Sequence, residues 1–287
     1  MLKMQISTMF HGKGFKAAFG ISMICAILFF IMESPMPYGV FNGFYAYCGM
    51  GDSNEWAMFS FLLSFLVALP FATSFQDDLH KRTYGALMIR ENRRKYIKAK
   101  MTATFIGNFV MVVIPFAVNM ILCAVFLPHV TVTPYGEPGS NLFIAIIEGT
   151  GVDYSSINPS HPLVELIKFS PVLYCVLYLI LLGLFCGLAG VVVLALSFWV
   201  RKYKLVLFLP FLLIAQIGET WTGISLNQAI EDRSHVFWNL SLWDYVAPFS
   251  YTGKSYLIFW IFVVILCIFV YVSYRHILKL DYLELME

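Results

Sequence analysis

The sequence predicts an all-α polytopic membrane protein with six transmembrane helices and both ends on the cytoplasmic side. Three observations predict it. Of 287 residues, 60% are hydrophobic and only 13% charged, with a mean hydropathy of +0.76; a soluble domain is about half apolar and a quarter charged. The apolar residues gather into six stretches of bilayer-crossing length. The basic residues are segregated by connection. A net charge of +2 gives no ground for nucleic-acid binding.

A hydrocarbon core about 30 Å thick needs roughly 20 apolar residues as a helix. Such stretches run at about 15–33, 56–75, 101–127, 171–200, 205–222 and 255–274, all within one transmembrane domain covering 1–287. The first follows Lys3, Lys13 and Lys16 but exits into Glu33-Ser34-Pro35-Met36-Pro37 without a small-x-small cleavage site. It reads as a retained helix rather than a leader. The fourth is longer than one crossing needs. The fifth carries Pro210, Gln216, Gly218 and Glu219, which predicts a break near its outer end.

Orientation follows from the positive-inside rule. Lys3, Lys13 and Lys16 precede span one. Lys81, Arg82, Arg90, Arg93, Arg94, Lys95, Lys98 and Lys100 join spans two and three; Arg201, Lys202 and Lys204 join four and five; Arg275 and Lys279 follow six. These are sixteen of the nineteen Lys and Arg. Only Lys168, Arg233 and Lys254 fall on the other side, with Asp52, Glu55, Glu137, Glu148, Asp153, Glu231, Asp232 and Asp244.

The outer segment 224–254 is rich in rings: Phe237, Trp238, Trp243, Tyr245, Phe249 and Tyr251. They read as an interfacial belt, with gating as the alternative. Asn239-Leu240-Ser241 matches a glycosylation sequon, a short pattern that also arises by chance. Five of the six cysteines (Cys25, Cys123, Cys175, Cys186 and Cys267) lie inside apolar stretches as small hydrophobes, Cys48 outside them. No metal-type spacing or disulfide framework is present.

The span interiors omit ionisable groups. Their polar residues are Asn108 and Asn119 in span three, and Gln216 with the marginal Glu219 in span five. Each amide has two readings, a bond to a neighbouring helix or a contact with a substrate. Ion-coupled transport needs a buried carboxylate or paired broken helices. Intramembrane hydrolysis needs a nucleophile with a base, or metal ligands. Neither constellation is visible, nor is a phosphate-cradling glycine loop. The chain is read as no enzyme, with no cofactor or metal of its own, so energy has to enter from a partner.

The connection between spans two and three is the best place for that. Tyr84, Leu87 and Met88 share a helix face at i, i+3 and i+4, and Arg90, Arg93, Arg94 and Lys95 follow. Two uses fit: an interfacial helix on anionic membrane lipid, or an amphipathic helix in a cleft of a cytosolic protein.

The chain resembles the membrane subunit of type-2 ATP-binding-cassette (ABC) exporters, permeases without a fused ATPase. The residues that carry the resemblance are SFQDDLHKRTYGALMIRENRRKYIKAKM at 74–101. Asp77 and Asp78, the turn Thr83 to Gly85, Leu87-Met88, Arg93 to Tyr96 and Lys100 follow the family's order. The aromatic segment between spans five and six matches the family's re-entrant hairpin. The chain departs at Glu91-Asn92, where the family often has a proline, and this leaves the end of the coupling helix open.

The resemblance implies a coupling helix seated on a separate ATPase subunit that holds ATP and magnesium. It implies a short interfacial helix over Met1 to Lys16, a second permease of the same or a different chain, and a place in the cell membrane of a bacterium. It makes Tyr84, Leu87, Met88, Arg90, Arg93 and Arg94 candidate ATPase contacts. Phe208, Pro210, Gln216 and Glu219, with the amides Asn108 and Asn119, become candidate pathway or gate residues. Gly183, Gly187 and Gly190 form a GxxxG-type string for close helix packing. The expected cargo is an amphipathic or apolar peptide, drug or lipid. The alternative is a non-transporting sensor, immunity or scaffold protein that binds a peptide through the aromatic outer segments.

Overall fold

The computed structural model describes residues 1–33, 54–80, 92–126, 166, 171–200, 204–231, 239–246 and 257–279. These form eight α-helices: α1 (Leu2–His11), α2 (Lys13–Glu33), α3 (Asn54–Leu66), α4 (Ser74–His80), α5 (Arg93–Phe126), α6 (Pro171–Leu196), α7 (Leu209–Glu231) and α8 (Leu257–Lys279). Short 3-10 turns cover Lys204–Leu207 and Asp244–Val246. No strand occurs among the described residues.

Among the described residues, four helices are long and apolar enough to cross a membrane: Lys13–Ile31, Arg93–Cys123, Leu173–Leu196 and Leu257–Lys279. They mark the chain as a membrane protein. The outer face of α8 supports this, because Leu257, Trp260, Ile261, Val264, Ile265 and Ile268 are each more than half exposed. Hydrocarbon suits such a face and water does not.

The second predicted span is not continuous. The apolar stretch 56–75 ends as helix at Leu66, runs through turns over 67–73 and resumes as α4. Pro70 is the cause. A proline ring collides with the carbonyl four residues back, and that carbonyl belongs to Leu66. The Leu66 carbonyl instead accepts from Leu69 N–H at 3.1 Å. At about 1.5 Å per residue, the 13 residues of α3 reach about 20 Å.

Pro210 has the opposite role. It stands in the first turn of α7, where its missing N–H costs nothing, and α7 continues unbroken past Gln216, Gly218 and Glu219 to Glu231. The predicted break near the outer end of this stretch is therefore absent. Pro115 lies inside α5 without ending it.

The centre of the bundle is the α5–α6 pair, with α2, α1 and α8 packed around it. Phe105, Phe109 and Val113 make a ridge at four-residue spacing. It enters a groove in α6, where a Cβ on Gly183 would stand 2.4 Å from Val113 and one on Gly187 would stand 2.8 Å from Phe105. A Cβ on Gly190 would press on the Asn108 amide. The glycine string thus brings two helices of this same chain together. A second cluster, Phe29, Phe59 and Phe116, ties α3 to α2 and α5 with ring centroids 4.8–6.3 Å apart.

Candidate functional site

Asn92 fixes where α5 begins. Its side-chain oxygen accepts the Arg94 N–H at 2.9 Å, the usual service of an N-cap. The residue at which the chain departs from the exporter pattern is therefore a helix start. The cap sets the whole first turn, Arg93 to Tyr96, as an extension of the membrane helix. This is why α5 starts at 93, whereas hydropathy placed its span at 101.

The two stems of the basic connection meet below the bundle. Lys100 of α5 is 1% exposed and forms an ion pair at 2.7 Å with Asp78 of α4, which is 24% exposed. Tyr96, one turn before Lys100, donates its hydroxyl to the same carboxylate at 2.5 Å. The Lys100 ammonium also lies 4.9 Å from the Phe71 ring centre and 5.4 Å from that of Tyr96. One carboxylate, one ammonium, one phenol and two ring faces thus satisfy each other. A buried charge survives only when partnered this way.

Further contacts lock this cluster to the rest of the molecule. Gln76 of α4 donates its amide to the Val200 carbonyl at 2.5 Å, capping the turn 197–200 that ends α6. Phe75 meets Phe198 edge to face at 5.0 Å. Trp199 stacks on His276 at 3.9 Å and donates its indole N–H to Ser273 at 3.0 Å, which brings in the last turns of α8. The stems of the connection, the end of α6 and the end of α8 therefore pack as one base.

Of the predicted ATPase contacts, Tyr84, Leu87, Met88 and Arg90 lie outside the described residues. Arg93 is half-buried and Arg94 exposed, both on the first turn of α5. The predicted pathway residues separate. Asn119 is fully buried and donates its amide to the Ala26 carbonyl of α2 at 2.8 Å. Asn108, equally buried, donates to Thr104 at 3.0 Å and packs against Gly190. The Asn119 amide thus ties α5 to α2, whereas the Asn108 bond stays within α5.

Gln216 and Glu219 are half-buried on α7, and Glu219 accepts the Ser60 hydroxyl of α3 at 3.1 Å. Phe208 packs against the core. Pro210 stands in the first turn of α7.

A polar centre that the sequence reading missed joins α7 to the segment 239–246. The Thr222 hydroxyl oxygen accepts from Leu240 N–H at 2.9 Å and Ser241 N–H at 3.0 Å. Asn239 accepts from Ser241 N–H at 2.8 Å and donates its amide to Asp244 at 3.0 Å, while Tyr245 donates to the Asn239 carbonyl at 2.7 Å. Gly218 permits the approach, with a Cβ position 2.4 Å from the Leu240 carbonyl.

The segment then inserts Trp243, fully buried, between Phe185 of α6 and Phe211 of α7, and Tyr245 stacks on Phe259 of α8. These two rings are core, not an interfacial belt. The signal available in the sequence was Gly218 on one helix face with Thr222, a turn apart.

The sequon falls within this centre. Asn239 is 1% exposed and its amide nitrogen already donates to Asp244, so a glycan has no access to it in the folded chain. Expression in a glycosylating host is expected to yield a chain whose gel mobility does not change on glycosidase treatment. A mobility shift abolished by Asn239→Gln would refute the buried placement.

No protein-family model, curated protein or solved structure matches this chain.

Proposed function

We propose that this chain is the permease subunit of an ATP-driven exporter of the type-2 ABC class, moving an amphipathic or apolar cargo across the cell membrane. In this reading the chain crosses six times, with the broken α3–α4 stretch as its second span and α7 as its fifth, and both ends are cytoplasmic. Gln216 and Glu219 on α7 line the pathway. A separate ATPase binds ATP and magnesium and docks on the connection between α4 and α5.

The observation that carries the reading is the buried Asp78–Lys100–Tyr96 cluster. A connection that takes up force from a partner needs stems that move as one body, and here both stems are locked to each other and, through Gln76, to the end of α6. A loop that served only to mark topology would need the positive charge but not the lock.

The test is copurification in mild detergent followed by ATPase assay. The wild-type chain is expected to bring down an ATP-hydrolysing subunit. Charge reversal at Arg93 and Arg94 is expected to weaken that association by about 2 kcal/mol or more, roughly thirtyfold. Unchanged ATPase binding and stimulation in the reversed variant would sink the coupling role. Absence of any ATPase would leave the peptide-binding sensor as the better reading.

A further inference from the structure

A cavity of about 640 Å³ lies between the N-terminal helices and the Pro70 break. Gln5, Lys13 and Gly14 line one wall, and Ser74, Asp77 and the Lys100–Asp78 pair line the other. Its polar lining is under-used. The Ser74 hydroxyl is buried without a hydrogen-bond partner, on a residue 9% exposed. Gln5 is 4% exposed, and its amide reaches the Met1 sulfur at 4.0 Å.

The chemistry of the walls is specific. The start of α2 opens onto the cavity at Lys13 and Gly14, with no acidic side chain in its first turn. The first N–H groups of a helix lack partners within it and attract an anion, and the exposed Lys13 ammonium adds a full charge there. The opposite wall is acidic. Asp78 is matched by Lys100, and Asp77 stands beside them, with contacts of its own. A bare phosphate would suit Lys13, the start of α2 and the Ser74 hydroxyl but be repelled by the Asp77 carboxylate, whereas a zwitterion with an anion at one end and a hydrogen-bonding cation at the other suits all of them.

We propose that this cavity takes the phosphoethanolamine headgroup of a phospholipid. The phosphate sits on Lys13, the opening N–H groups of α2 and the Ser74 hydroxyl; the ammonium turns toward Asp77 on α4. A lipid is favoured over a free headgroup because α2 continues from the cavity as an exposed apolar face, Ile21, Ile24, Ile27 and Leu28, along which acyl chains can lie. A choline headgroup has no N–H to donate, and a glycerol headgroup has no cation. The inference is independent of any ATPase partner.

The test is lipid retention by the full chain in mild detergent, read by native mass spectrometry with phosphatidylethanolamine, phosphatidylcholine and phosphatidylglycerol offered in equal amounts. Phosphatidylethanolamine is expected to be retained roughly tenfold or more over the other two, as one extra charge-assisted bond would give. Lys13→Gln, at an exposed position, and Ser74→Ala are each expected to lower retention of all three lipids without moving the thermal midpoint, whereas Asp77→Asn is expected to abolish the preference. Equal retention of the three lipids by the wild-type chain, unchanged retention in both Lys13→Gln and Ser74→Ala, or an unchanged preference in Asp77→Asn would overturn the site. Soluble phosphoethanolamine offered alone separates the sources. Saturable binding of it without any lipid preference would refute the lipid assignment; millimolar competition against bound phosphatidylethanolamine would support it.

Discussion

Asp78→Asn lowers the thermal stability of the chain more than Lys100→Met does. Both substitutions break the same 2.7 Å ion pair, but they strand different partners. Removing the aspartate charge leaves an ammonium that is 1% exposed, and a stranded buried charge costs about 3–5 kcal/mol. Removing the lysine leaves a carboxylate that is 24% exposed and still accepts the Tyr96 hydroxyl. Water reaches it, and the methionine refills the space against Phe71 and Tyr96, so the loss is about 1–2 kcal/mol. Asp78→Leu combined with Lys100→Met recovers much of the difference, because replacing both members of a buried pair with apolar groups is often nearly neutral. Thermal unfolding of the three detergent-solubilised variants against the wild type checks the order. Equal losses, or a larger one for Lys100→Met, would contradict the burial that defines this cluster.

Gly218→Ala releases the inserted segment 239–246. The added methyl would stand 2.4 Å from the Leu240 carbonyl and 3.1 Å from its carbon. These are backbone atoms, which cannot swing aside as a side chain does. The segment has to lift from α7, losing the bonds from Leu240 and Ser241 to Thr222, and Trp243 leaves its place between Phe185 and Phe211. The backbone clash offsets part of the roughly 3–5 kcal/mol that burial of an aromatic side chain contributes, so in this variant the segment opens before the bundle melts. The expected measurement is a red shift of tryptophan emission below the main transition, absent when Trp243 is replaced by Phe. Gly223→Ala is the control, since no atom lies within 4 Å of the Cβ position there. A similar change in both variants would show that helix propensity, not this contact, governs the response.

The legibility of the fold in the sequence differs from one proline to the next. Pro70, Pro115 and Pro210 are the same residue in three apolar stretches. The first ends a helix at Leu66, the second lies within a continuous one, and the third helps start one. Hydropathy averaged over 20 residues smooths all three into a crossing. The local geometry that separates them is short-ranged: the position of the ring relative to the carbonyl four residues back. The cap at Asn92 is equally local, and it extends α5 beyond the apolar run that betrayed it.

The candidate site was partly legible for the same reason. Asp77, Asp78 and Lys100 stand out as charges flanking the basic connection, but 22 positions separate Asp78 from Lys100 along the chain. Nothing in that spacing says they touch. The amides of Asn108 and Asn119 were visible as polar exceptions within an apolar stretch; whether they face a pathway or a neighbouring helix depends on rotation about the α5 axis.

Composition and charge order by themselves determined the membrane class, the all-helical content and the segregation of basic residues, because transfer from water to hydrocarbon is a sum over side chains and needs no coordinates. The tertiary structure alone decided that the Lys100 ammonium is buried against Asp78, that the glycine string serves contact within the chain, and that Asn239 and Trp243 lie inside the bundle. Those outcomes depend on which surfaces meet, and burial of a charge or a ring is a property of the pair of surfaces rather than of either segment.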